Sequence, residues 1–426
     1  MKNLKKNFLV YTISNFANSS VPFILLPILT NDFSPSEYGT LSIYQAFILF
    51  LTPFILLNYQ TAVSVKYFQT EREIFRQYLS SSLLVPILGL LIIQILIFIF
   101  AASLHELFQI PLLYIHLLPF FTFSQSIVKL ILVVFRITEE SINYGIYQFA
   151  LTLFNLLLSL YFVIGLGFSW EGRIFGIVFS NIIFSFLGFY ILLKKKLILK
   201  SINRSYIKDN ILFGAPLVLH IVGTAVMTIS DRLFISKMIN NSALGIYTVA
   251  YQIGTILMLV ISSMDLAWGP QAYKLMKTNR ISSFRKLFKY QSFMYFGIIV
   301  CFLFIYLSIP VVYNFFIDHN YHDGIDYVFW IMIGYVFQGF YALNSKIFTF
   351  RRKTFLLSRI TFSAALLNIV FNYFFIKRFG VIGAAYSTAL SWFLFFMISM
   401  LISIRLYPFP VSQVIQGIFR NEIKGN

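Results

Sequence analysis

Twelve apolar runs divide this chain, at approximately 8–30, 40–62, 79–101, 111–135, 142–165, 174–193, 211–236, 244–267, 291–313, 327–350, 355–376 and 381–404. A helix needs about 20 apolar residues to cross the hydrocarbon core of a bilayer. In lipid the backbone polar groups have no water to bond, so each crossing must satisfy its own N–H and C=O groups, which selects helices. Transmembrane strands would be shorter and would alternate apolar with polar residues, and these runs do not. Composition agrees: 59% of the 426 residues are hydrophobic and 11% are charged, against about 25% charged in a soluble domain. Such a chain takes lipid as its solvent, and its 51 phenylalanines suit lipid-facing and inter-helix surfaces.

The first residues, Met1 to Lys6, are basic and precede an apolar run, as in a signal peptide. That run is long, holds Asn15 and Asn18 and lacks an A-x-A site, so a retained first helix is expected. Cys301 is the single cysteine, which excludes an intramolecular disulfide and a cysteine metal cluster.

Twelve crossings put both termini on one side, and the loops say which. Of the 33 Lys and Arg residues, 25 fall on the terminal side, chiefly in 66–76, 194–208, 274–289 and 351–353. Four (Arg173, Lys237, Lys377 and Arg378) fall on the other, and four lie within the runs. Positive charge marks the cytoplasmic face, so both termini are expected there. The same bias explains the net charge of +18 without a nucleic-acid partner. The longest opposite-side loop, 314–326, carries Asp318, His319, His322, Asp323 and Asp326 and reads as a solvated acidic loop rather than a metal site.

The chain also reads as built twice. Ser36-Glu37-Tyr38-Gly39-Thr40-Leu41 matches Ser242-Ala243-Leu244-Gly245-Ile246-Tyr247 with the glycines 206 positions apart. Gly176 to Ser180 matches Gly383 to Ser387 at an offset of 207. Either match alone is weak; the shared offset supports a six-plus-six duplication. Since six is even, the halves insert the same way up, related by an axis along the membrane normal. The expected architecture is all-α and integral to the membrane: twelve transmembrane helices in two six-helix lobes (1–200 and 201–426) around a central cleft.

A cleft should show as polar residues at helical spacing. Thr12, Asn15 and Ser19 share a face in the first run, with Asn18 beside them. Thr122, Gln125, Lys129 and Arg136 make the most cationic stripe, in the fourth run. His220, Thr224, Thr228 and Asp231 step along the seventh, and Tyr251, Thr255, Met258, Ser262 and Asp265 along the eighth. Gln338, Ser345 and Lys346 lie roughly on one side of the tenth. Such positions serve equally as polar glue between helices. For ionisable residues the functional reading gains weight, because charge in lipid is expensive. Lys129, Lys346 and Arg359 are near enough to the cytoplasmic ends to snorkel. Asp231 and Arg232 point about 100° apart on a helix, so a structural ion pair, a contact to the other lobe and a substrate contact all stay open.

No Walker A, H-E-x-x-H or G-x-S-x-G sequence occurs, so neither an ATP-driven engine nor an enzyme is expected. No cofactor is expected; coupling to H⁺ or Na⁺ is left open.

The run from Ala215 to Gly254 has an early Pro216, then Asp231-Arg232 followed by apolar residues, then Gly245-Ile246-Tyr247 and a second helix. With the first hairpin (Leu25 to Phe47, its Pro27 and Tyr38-Gly39) and Trp268-Gly269-Pro270, it resembles bacterial polysaccharide flippases of the Wzx type, in the multidrug/oligosaccharidyl-lipid/polysaccharide exporter superfamily. The resemblance spans essentially the whole chain. It implies a two-lobe protein that moves undecaprenyl-diphosphate-linked oligosaccharides across the bacterial cytoplasmic (inner) membrane by alternating access, for surface polysaccharides such as the O-antigen of lipopolysaccharide. Implied partners are the lipid-linked oligosaccharide, membrane lipids and other polysaccharide assembly proteins. A diphosphate calls for cations. Lys66, Lys129, Arg136 and Lys346 cluster toward the cytoplasmic half, and Arg232 is a fifth candidate. Asn15, Asn18, Gln125, His220, Thr224, Asp231, Tyr251, Asp265 and Gln338 are candidate cleft residues. The first run departs from some relatives in carrying no Arg or Lys. Two other readings are a cation-coupled multidrug antiporter, which would favour an acid deep in a run, and a membrane glycan polymerase, which would need a larger outer loop.

Overall fold

The structure is a computed structural model that describes residues 18–278, 281–351 and 353–406. Among these residues there is no strand. Residues 18–32 form α1, followed by α2 (Pro35–Leu56), α3 (Tyr59–Gln69), α4 (Arg72–Ser82), α5 (Leu84–Phe108), α6 (Leu112–Phe123), α7 (Ser126–Ile137), α8 (Ser141–Leu160) and α9 (Trp170–Lys194). Then come α10 (Arg204–Met238), α11 (Asn241–Thr278), α12 (Ile281–Phe316), α13 (Ile325–Phe350), α14 (Thr354–Phe379) and α15 (Val381–Leu406). Nine helical stretches among the described residues are long and apolar enough to cross a membrane. Of the other three expected crossings, 8–30 is described only from residue 18, while α10 and α13 carry the polar stripes of the seventh and tenth runs.

Three expected crossings are broken rather than straight. Pro53 leaves a carbonyl unanswered inside α2, and Leu57 and Asn58 end the helix in the left-handed region with φ of 45° and 51°. The Asn58 side chain holds that turn by accepting from Gln60 Nε2 (3.0 Å) and Thr61 Oγ1 (3.1 Å). The fourth run divides at Ser124-Gln125, where short polar side chains compete for backbone groups. Neighbouring helices take up the carbonyls at this break: Tyr59 Oη donates to Ser126 O (2.8 Å) and Ser185 Oγ to Ser124 O (3.0 Å). Leu83 separates α4 from α5 in the third run.

Helix starts follow local chemistry. Ser34-Pro35-Ser36-Glu37 forms a capping box: Glu37 N–H donates to Ser34 Oγ (3.3 Å) and Ser34 N–H to Glu37 Oε2 (2.8 Å), with Pro35 in the first turn.

Contacts divide the chain into two compact units, 1–248 and 249–426, so α10 packs in the first unit, against α2, α3, α4 and α5. The packing boundary thus falls on α11, whereas the duplication places its own near residue 200. In the first unit α2 also packs on α5 and α6, and α8 on α9. In the second, α15 packs on α13 and α14, and α12 on α13.

Lipid is as apolar as leucine, so polar contacts and close packing hold such helices, at about 0.6 kcal/mol for an average inter-helix hydrogen bond. Asn368 Nδ2 donates to Ser391 Oγ (3.2 Å) and Ser403 Oγ to Asn344 Oδ1 (3.1 Å), tying α15 to α14 and α13. Outward faces stay apolar: Phe98 and Ile99 on α5, and Phe304, Leu307 and Phe315 on α12 are well exposed. Such surface fits the hydrocarbon of a bilayer. At the basic-loop end, consecutive serines closing α4 fasten the linker 195–203 and the start of α10: Ser80 Oγ accepts from Leu199 N (2.8 Å), Ser81 Oγ from Asn203 N (3.0 Å), and Ser82 Oγ from Asn210 Nδ2 (2.9 Å).

Candidate functional site

At the end of the first unit away from the basic loops, α2 and the start of α11 meet without intervening side chains. A methyl group placed on Gly39 would lie 1.9 Å from the Asn241 carbonyl oxygen, and one on Gly245 would lie 1.8 Å from that of Pro35. Thr248 Oγ1 donates to Ser42 Oγ (2.9 Å) one turn further in. Charged groups gather beside this contact. Asp231 is 2% exposed. Its Oδ2 accepts from Tyr247 Oη (2.7 Å) and its Oδ1 from the Arg232 backbone N–H (2.8 Å). Tyr38, buried on α2, lies within electrostatic reach of both Arg232 and Arg173.

Arg173 is a residue the sequence reading missed. It was assigned to an outer loop, yet it sits buried in the first turn of α9. Its Nη1 donates to Asn155 Oδ1 (2.5 Å) and Ser159 Oγ (2.7 Å) on α8. The signal available was Asn155 and Ser159, four residues apart on one face of an apolar helix.

The cationic candidates of this unit lie nearer the other end. Lys66 Nζ stands 4.0 Å from Asp209 Oδ2 and 5.1 Å from the Tyr78 ring centroid. Lys129 is half-buried on α7, and its ammonium has no hydrogen bond or ion pair among the described residues. Arg136, two turns on, is exposed, and Gln125 lies at the break between α6 and α7. Lys195, just past α9, pairs with Glu140 and lies 5.8 Å from the Phe135 ring centroid. Asn18 Oδ1 accepts from Thr152 Oγ1 (3.0 Å), joining α1 to α8.

In the second unit, two candidates assigned to different roles form one pair: Lys346 Nζ donates to Asp265 Oδ2 at 2.7 Å. Tyr251 packs edge-on to Tyr335 with centroids 5.8 Å apart, and Gln338 is half-buried. In the acidic loop, Asp318 Oδ1 accepts from Asn320 N (2.9 Å) and caps a short 3₁₀ turn, His319–Gly324. Asn15 and the side chains of His220 and Thr224 lie outside the described residues.

A family model described as "Polysaccharide biosynthesis protein" matches residues 4–276. The chain belongs to this polysaccharide biosynthesis protein family. Protein 1 of the Lsg locus of Haemophilus influenzae is 26% identical over 285 residues, covering 65% of this chain and 67% of that protein. An uncharacterized membrane protein of the same organism is 25% identical over 294 residues, covering 66% and 67%. Among solved structures, an inward-facing multidrug resistance MATE family transporter of the MOP superfamily superposes with a TM-score of 0.76 at 14% identity, covering 93% of this chain and 96% of that one. A MOP superfamily transporter from Pyrococcus furiosus, described by the reversed polarity of its binding pocket, gives a TM-score of 0.60 at 15% identity, covering 94% and 93%. This member of the polysaccharide biosynthesis family therefore has the multi-pass helical fold of MOP superfamily transporters.

Proposed function

We propose that this chain is a flippase that carries undecaprenyl-diphosphate-linked oligosaccharide units across the bacterial cytoplasmic membrane by alternating access, for surface polysaccharide assembly. The observation that carries the reading is the polysaccharide biosynthesis match over residues 4–276, on a chain with the fold of membrane transporters. The distribution of Lys and Arg, 25 against 3 with Arg173 buried in α9, supports a cytoplasmic side for both termini and the basic loops, where lipid-linked sugars are assembled.

The diphosphate needs cations that are not already neutralised. Asp265 already answers Lys346, and Lys66 faces Asp209 and a tyrosine ring. Lys129 and Arg136 have no acceptor among the described residues; Arg136 is exposed and Lys129 half-buried on the same helix, which makes Lys129 the stronger of the two.

The test is deletion of the gene in its own host, followed by leaflet-resolved analysis of lipid-linked glycans. Accumulation on the inner leaflet, reversed by the gene in trans, is the expected result. Unchanged glycan export together with altered drug tolerance would sink the reading in favour of drug transport.

A further inference from the structure

Two cavities of the first unit share one residue, Lys195. The larger, about 760 Å³, is a furrow between α8 and α9. Ile146, Phe154, Ile183, Leu187 and Ile191 line it, and its basic-loop end carries Lys194 and Lys195. The second cavity, about 730 Å³, lies at the start of α4 beside the turn between α7 and α8. Its walls are aromatic and polar: Tyr67, Phe68, Arg72, Phe75, Thr138 and Glu140. Each volume falls within the range of roughly 300–1,000 Å³ typical of ligand sites.

The two differ in chemistry, and a pair of lysines stands where they join. The furrow offers branched aliphatic and aromatic side chains, with Ile146 64% exposed. A hydrocarbon chain covers such a surface without stranding polar atoms. At its mouth Lys195 is held in place by Glu140, while Lys194 is exposed and has no ion pair among the described residues. Lys196 follows directly, so the local balance is cationic. Beyond the lysines, Phe68 is 73% exposed with its ring edge-on to Tyr67, next to Arg72. An exposed aromatic face beside hydrogen-bonding groups suits the apolar face and hydroxyls of a pyranose ring. A phospholipid would fill the furrow and leave the second cavity empty; a lipid carrying phosphate and then sugar fills both.

We infer that the two cavities form one bipartite holding site for the lipid-linked saccharide, with the polyprenyl chain in the α8–α9 furrow, phosphate at Lys194 beside the Glu140-held Lys195, and the first sugar in the Tyr67–Phe75 cavity. The assignment rests on the flippase reading. It places substrate against the outer surface of the first unit, on the basic-loop side.

The full-length chain in phosphatidylcholine vesicles tests it. One probe is a prenyl-diphosphate-linked N-acetylglucosamine with a diazirine in its chain; the other is phosphatidylglycerol with the same group in an acyl chain. The saccharide probe is expected to label α8 and α9 and to resist competition by excess phosphatidylglycerol. Lys194→Ala with Lys195→Ala lowers that labelling about tenfold, the size of one lost charge-assisted contact. Phe68→Ala with Arg72→Ala, both at the surface, lowers labelling by the saccharide probe and leaves the phosphatidylglycerol signal unchanged. Lys194→Ala alone, which removes no ion pair found among the described residues, gives the same direction should the double variant fold poorly. Equal labelling and free competition by phosphatidylglycerol would make the furrow an ordinary phospholipid site and overturn the inference. So would full glycan export by Leu187→Trp, which plugs the furrow, while the flippase reading stood. A wild-type chain that binds the saccharide probe but exports nothing would sink the flippase reading and leave the site.

Discussion

Gly39 and Gly245 press backbone to backbone although 206 residues separate them. Each would-be methyl lies 3.1 Å from the other glycine's nitrogen, and their flanking partners, Pro35 and Asn241, are also 206 apart. Ser42 and Thr248, bonded at 2.9 Å, repeat the offset again. Residues at one constant offset that touch each other reciprocally make an isologous contact, here within a single chain. The offset read from the sequence is thus also met in space: Pro35, Gly39 and Ser42 on α2 meet residues 206 positions on, at the start of α11.

The contact tolerates no side chain. Gly39→Ala forces its methyl into the Asn241 carbonyl at 1.9 Å, so α2 and α11 must part. Overpacking of this kind costs about 1–3 kcal/mol. In a Cys301→Ala background, Ser42→Cys and Thr248→Cys should form a disulfide readily, and adding Gly39→Ala should lower its yield several-fold. Equal yields would mean that the glycines are not what brings the helices together.

Arg173 holds α8 to α9 through Asn155 and Ser159. Hydrogen bonds to a charged group contribute about 1.5–3 kcal/mol each. Arg173→Ala should therefore lower the melting temperature in detergent clearly, and Arg173→Lys should restore it only in part, since an ammonium lacks the planar fork. A melting curve unmoved by Arg173→Ala would show that the network contributes little.

Lys129→Ala should lower glycan export about tenfold at normal membrane levels, the loss of one charge-assisted phosphate contact, while Lys129→Arg keeps most of it. Unchanged export would show an ammonium that only snorkels to the interface.

The helical architecture was legible because its signal is local: apolar length and the Lys/Arg bias need no tertiary knowledge. The offset of 206 was legible for the same reason, and it named Gly39 and Gly245 before any contact was visible. What stayed hidden depends on partners. Ser124-Gln125-Ser126 offers side chains that compete for backbone groups, but that the helix breaks there depends on Tyr59 and Ser185, distant in sequence, which take up its carbonyls. Arg173 counted as a loop charge because Asn155 and Ser159 on another helix bury it. Asp265 and Lys346 were read as two separate site candidates because 81 residues hide their pairing.

That pair makes its own prediction. Both side chains are mostly buried, Lys346 at 18% and Asp265 at 25% exposure, so removing either partner strands the other. Asp265→Ala and Lys346→Ala should each destabilise the chain, and the double variant should lose less than the two singles combined, by about 0.5–3 kcal/mol of coupling. Strict additivity in thermal melts would show that the two groups do not stabilise each other.

Glu140 supplies a pH dependence at the joint of the two cavities. It lies in the turn between α7 and α8, outside the crossings. Partial burial raises its pKa, but hydrogen bonds from Lys195, Asn143 and Thr138, with the Lys195 charge, outweigh that and hold the carboxyl below its usual value of 4.5. A depressed carboxylate stabilises the fold fully above the unfolded pKa. That contribution is lost as pH falls through the lower folded value. Melting temperatures of the wild type should therefore drop across the acid range more steeply than those of Glu140→Gln, the two curves converging at the lowest pH. Glu140→Gln also releases Lys195, so at neutral pH it should shift labelling by the saccharide probe even where stability is little changed. Parallel melting curves would mean that Lys195 is held by something other than this carboxylate, and the joint would have to be sought elsewhere on α9.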